Sequence, residues 1–129
     1  MSKRMHRPES AKLDISLGDW LMVKKHLSAG ERMDMYAAMM KATSTGETID
    51  SARVGVCRVA TYLLDWSITD ADGQPVVIHD QSQDVVVSAL RALDPESFTE
   101  ILNAIDAHDA AMEKARVAEK NEQVGAIAS

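Results

Sequence analysis

A single cysteine, Cys57, stands in the whole 129-residue chain, so no disulfide can form within it. It lies inside the apolar run Val54–Trp66 and reads as a small buried hydrophobe, since a reactive thiol needs a base beside it and partial exposure. Aromatic residues are almost as scarce: two Trp, two Tyr and one Phe leave aliphatic side chains and eight methionines to fill a core. A cationic surplus is missing as well. Lys and Arg number 14 against 20 Asp and Glu, a net charge of −6. Nucleic-acid binders draw most of their affinity from neutralised phosphates, so neither DNA nor RNA is expected as the main partner. The one basic cluster, Lys3, Arg4 and Arg7, reads as a solvated tail. A regulator holding DNA through it would bind with steep salt dependence. No apolar stretch reaches the ~18 residues of a membrane span, so no membrane segment is expected. The charged start is followed by Pro8–Asp14 rather than an apolar run, so no signal peptide is expected and the cytosol is the expected compartment.

What is present is an ordinary globular balance, with 46% hydrophobic and 26% charged residues, enough for one core without staples. The expected fold is mainly α: about four helices in one small domain, with a short N-terminal β-hairpin. Residues 1–12 read as a flexible basic lead-in, 13–118 as a single helical domain and 119–129 as a flexible tail. Leu13, Ile15 and Leu17 alternate with polar residues as a strand does; Gly18-Asp19 suits a tight turn, and Trp20–Lys25 returns. Ser28 and Glu31 form a capping box, followed by a helix with Met33, Tyr36, Ala37 and Met40 on one face, widened by Met35 and Met39. A polar loop at Thr43–Thr48 ends it. Asp50 then caps a second helix expected to run to Trp66, apolar on nearly all sides and therefore central. Thr69–Pro75 is a turn, Val76–Ile78 an extended stretch, and Asp80 with Gln83 a second capping box before a helix over Val85–Leu93. Asp94-Pro95 starts the last helix, which carries Phe98, Ile101, Leu102, Ile105 and Met112 on one face and frays from Asn121 on.

Groups able to carry chemistry do not assemble in the sequence. Asp70-Ala71-Asp72-Gly73 resembles half of a calcium loop, but Ile68 and His79 fall where the first and twelfth ligands belong. His6, His26, His79 and His108 never stand four apart, and one cysteine cannot complete a zinc site. His108 reads as a core-edge histidine and His79-Asp80 as a helix entry. No nucleophile elbow, P-loop or dinucleotide fingerprint occurs. The expectation is a non-enzymatic protein, without metal or cofactor, that binds another protein. The candidate contacts are Met33, Met35, Met39 and Met40, soft side chains suited to adaptable surfaces, and Ile101, Ile105 and Met112 of the amphipathic last helix.

The segment Tyr62-Leu63-Leu64-Asp65-Trp66-Ser67-Ile68-Thr69-Asp70 followed by Asp72-Gly73-Gln74-Pro75-Val76 resembles the tail assembly chaperones of long-tailed, siphovirus-type bacteriophages. Those chains often show an apolar helix ending in Trp-Ser-Leu-Thr-Asp and then Asp-Gly-Lys-Pro. Gly18-Asp19-Trp20, Lys24, Leu27-Ser28 and Gly30-Glu31 resemble their N-terminal part, and the helix near Leu102–His108 with its charged continuation resembles their ending. The resemblance spans roughly residues 17–110. It implies a protein that coats the tape-measure protein in the host cell cytoplasm before tail-tube protein polymerises around it, with self-association open. It also implies a family often made in two forms by a ribosomal frameshift. It transfers no invariant site residue. The competing expectation is a structural virion protein, a head–tail connector, neck or tail subunit forming a ring.

Overall fold

The computed structural model describes residues 4–43 and 51–128. In chain order these form β1 (Ser10–Asp14), β2 (Trp20–Lys24), α1 (Ala29–Thr43), α2 (Ser51–Tyr62), β3 (Leu63–Trp66), α3 (Gln83–Arg91) and α4 (Pro95–Ala128). Four helices therefore accompany one three-stranded antiparallel sheet, in the order β1-β2-β3.

The alternation expected near the N-terminus has the right phase and the wrong limits. Ser10–Lys12, assigned above to the lead-in, belong to β1, and Lys25 N–H extends the ladder by donating to the Glu9 carbonyl at 2.8 Å. Ala11 and Leu13 are half-buried and point the same way as the buried Leu21 and Val23 of β2. The strand stops at Asp14. In place of a two-residue turn, Ile15–Asp19 makes a wider connection closed by Ile15 N–H donating to the Asp19 carbonyl at 2.9 Å. Leu17 sits at its tip with φ 61° and 95% of its surface exposed, so it is no third member of the apolar face.

The second correction concerns β3. The second helix ends at Tyr62, four residues before the expected stop, and Leu63–Trp66 pairs antiparallel with β2, Leu21 opposite Trp66 and Met22 opposite Asp65. A short apolar run cannot be told from a helix by its spacing. Here the free edge of β2 decides, because its backbone groups need partners where Leu21 and Val23 are fully buried. Trp66 is buried and donates its indole N–H to the Val76 carbonyl at 2.8 Å, which ties the following loop back to the sheet. That loop is the expected turn: Gly73 has φ 78°, and one Asp70 carboxylate oxygen accepts the backbone N–H groups of Asp72 and Gln74.

Helix starts follow their caps. Ser28 and Glu31 exchange the two capping-box bonds, 3.1 and 2.9 Å. Asp94 accepts the Ser97 N–H at 2.9 Å ahead of Pro95. For α3 the cap is Ser82, whose hydroxyl accepts from Val85 N–H, and not Asp80, which lies at φ 58°. Asp80 in that left-handed conformation turns the chain before the helix and cannot cap it. The polar loop around Gly46 and the Asp50 cap lie outside the described residues. At the other end α4 continues as helix to Ala128, through the span expected to fray.

One apolar cluster forms the core: Leu21 and Val23 of β2, Val59, Ala60 and Tyr62 of α2, Leu63 and Trp66 of β3, Ile78 of the loop before α3, Val86 and Leu90 of α3, and Ile101 and Ile105 of α4. As its all-round apolar character foretold, α2 is the hub, touching α1, α3 and α4. Its glycine Gly55 faces α4 so closely that an added Cβ would lie 3.1 Å from Leu102 Cδ2. Among the described residues, no helix is long and apolar enough to cross a membrane.

Candidate functional site

The methionine helix is positioned at its first turn. Glu31 caps the Ser28 backbone N–H and also receives the Lys24 ammonium from the end of β2, so strand and helix are joined at one carboxylate. Burial works to raise the Glu31 carboxyl. The Lys24 and Ser28 hydrogen bonds and the nearby positive charge together outweigh it and hold the group below its ordinary value.

From that anchor the helical period of ~100° per residue divides the methionines. Met35 and Met39 turn inward and are 4% and 9% exposed, and Met35 lines one groove with Cys57 and Ala60 of α2. Met33 and Met40 turn outward at 67% and 69%, and Tyr36, half exposed, lies between them. Of the four methionines named as contacts, Met33 and Met40 therefore lie on the outer face, while Met35 and Met39, expected to widen that face, are turned into the interior. A helix apolar on two sides gives sequence reasoning no means of choosing between them.

The remaining candidates also separate. Ile101 and Ile105 are buried in the core and cannot meet a partner without unfolding, a correction to their reading as contact residues. The same holds for Met35 and Met39. Met112 is half-buried on the wall of a groove of about 910 Å³ between the end of β2, the start of α1 and α4, together with Lys25, His26, Arg32, Tyr62 and Asp109. The Tyr62 hydroxyl donates to Asp109 Oδ1, and Arg32 Nη2 lies 4.0 Å from the same oxygen. Burial first, then the Asp109 carboxylate, pushes the Tyr62 phenol up. His108, one position before Asp109, meets Tyr62 edge-on with ring centroids 6.2 Å apart. Its Nε2 lies 3.1 and 3.2 Å from the Lys24 and Lys25 carbonyls, so that nitrogen carries the hydrogen. These groups pair with one another across α1, α2, α4 and the end of β2 and pin α4 to the sheet.

Other polar candidates sit apart. His79 and Asp80 pair at 3.3 Å on an exposed turn. Burial pushes the Cys57 thiol up, away from the thiolate that nucleophilic chemistry requires. Among the described residues no group of three His, Cys, Asp or Glu side chains stands close enough to hold a metal ion. Two features escaped the candidate residues named from sequence. Tyr36 completes the outer α1 stripe and was legible in its spacing; Val117, 46% exposed, marks the outer face of α4, which only the packing of the opposite face reveals.

No protein-family model, no curated protein and no solved structure matches this chain.

Proposed function

We propose that this chain is a non-enzymatic tail assembly chaperone of a long-tailed bacteriophage, which binds and masks the tape-measure protein in the host cytoplasm until tail-tube protein replaces it. The observation that carries the reading is the outer stripe of α1, Met33, Tyr36 and Met40, three large apolar side chains turned to solvent on one helix face. Exposed apolar groups in a contiguous row mark interaction surfaces, and methionine adapts to clients of irregular shape. Met35 and Met39 hold the same helix to α2 from behind, so the stripe is presented on a supported element. The resemblance over roughly residues 17–110 supplies the client: a long helical protein whose apolar stripes would aggregate if left bare. Chaperoning here is transient masking, and release follows when tube subunits bind the client more tightly.

Co-expression with the phage's own tape-measure protein, followed by affinity capture and mass spectrometry of the complex and of finished virions, tests this. A soluble complex, lost in the Met33→Asp/Met40→Asp double variant while the helical circular-dichroism signal is unchanged, together with absence from virions, supports the chaperone. A fixed copy number in virions and no complex overturns it in favour of the structural ring subunit.

A further inference from the structure

The last helix outruns the domain it belongs to. At 34 residues α4 is about 51 Å long by the ~1.5 Å rise per residue, yet among its described side chains, which run to Asn121, the last buried one is His108 and the last half-buried one Met112. Every side chain from Glu113 to Asn121 is exposed. A helical segment of this length is marginal in water by itself, and most helical stability comes from packing a face against something.

The face available has the spacing of a packing seam. Ala110, Lys114, Val117 and Asn121 alternate at four- and three-residue intervals on the side opposite Ile101, Ile105 and Met112. Glu113 and Ala118 flank it and complete one shallow, open surface with those four. In heptad terms Ala110 and Val117 take d, Lys114 and Asn121 take a, and Glu113 and Lys120 take the two g positions. An antiparallel copy set in the register that opposes a to d places Lys114 against Val117 and Asn121 against Ala110. The same register sets g against g, bringing Glu113 of one chain to Lys120 of the other twice over. The small residues Ala111 and Ala118 then face each other at e and allow close approach. A parallel pairing sets g against e, leaving Glu113 opposite Ala118 with no charge from the second chain, beside only the Arg116 of its own helix, whose Nη2 lies 2.6 Å from its carboxylate. Over Asp109–Asn121 three acids, Asp109, Glu113 and Glu119, balance three bases, Lys114, Arg116 and Lys120, so a second copy meets no net repulsion.

We propose that the outer face of α4, centred on Val117, is a self-association surface on which a second copy of this chain packs antiparallel through paired Glu113–Lys120 contacts. The interface is independent of the α1 stripe and of the chaperone reading. Its small seam makes it a reversible, concentration-dependent dimer. Lys114 at the seam lays its aliphatic stem along Val117 and keeps its ammonium in water.

Sedimentation equilibrium on the full chain tests this, with Glu113→Lys, Lys120→Glu and the double variant prepared beside it. The wild type is expected to dimerise. Each single variant sets like charges against each other at both symmetry-related contacts and raises the dissociation constant by about tenfold or more. The double variant returns to wild-type association, and an equimolar mixture of the two single variants forms a heterodimer that neither forms alone. Both positions changed are exposed, and far-ultraviolet circular dichroism confirms that each variant is folded. A wild type that stays monomeric to millimolar concentration overturns the proposal. So does a dimer whose affinity is indifferent to the charge reversals.

Discussion

His108 of α4 donates from Nε2 to the Lys24 carbonyl at the end of β2, 3.1 Å away and 84 residues apart in sequence. The Lys25 carbonyl shares the donor at 3.2 Å. Removing it leaves two partly buried acceptors short of a partner and takes away the edge contact with Tyr62. His108→Ala is expected to lower stability by about 2 kcal/mol, and His108→Gln, which still carries an N–H, by less; urea unfolding measures both.

Glu31 gives an acid-side signature. Its folded carboxyl lies below the ordinary 4.5, so its contribution is complete above that value and disappears as pH falls through the folded one. The stability difference between wild type and Glu31→Gln should therefore be constant near neutrality and shrink below pH 4.5. A difference that is flat through the acid range would show that the Lys24 contact carries no net weight.

Tyr62 gives the alkaline counterpart. Burial and Asp109 hold its phenol above the ordinary 10.0, so the folded protein keeps a proton that the unfolded chain gives up. Its contribution is complete below pH 10 and is lost as pH rises beyond it. Tyr62→Phe should cost about 1–2 kcal/mol at neutral pH and show a flatter fall in the urea midpoint as pH rises above about 10.

Gly55 sets the separation of α2 and α4. In Gly55→Ala the new methyl group presses on the movable end of Leu102 and meets Phe98 Cζ at an ordinary contact of 3.8 Å, and the gain in helix propensity of ~1 kcal/mol offsets the crowding. Gly55→Leu has no such outlet and should destabilise by about 2 kcal/mol or more through overpacking. Thermal unfolding of the two variants separates the effects.

Leu17 is a bulky residue held at φ 61° with its side chain in solvent, so it carries a conformational cost with no packing return. Leu17→Asn, whose side chain tolerates that region, should raise stability by about 0.5–1 kcal/mol. An unchanged or lower urea midpoint would mean that Leu17 makes a compensating contact.

Local chemistry was legible in this sequence wherever one short stretch decides the matter alone. The Ser28–Glu31 capping box, the Asp94-Pro95 helix start, the Asp70–Gly73 turn and the phase of Leu13 against Leu21 all follow from backbone donors, fixed φ angles and side-chain alternation within a few residues. The all-round apolar α2 likewise announced itself as the hub. Tertiary structure decided the rest, because the information lies in a partner far along the chain. Leu63–Trp66 becomes a strand only because β2 offers an unpaired edge some forty residues earlier. Met35 and Met39 are interior and Met33 and Met40 exterior only because α2 lies on one side of α1. A helix with two apolar faces carries no record of which one its own domain will cover, and that choice alone determines which methionines a partner can reach.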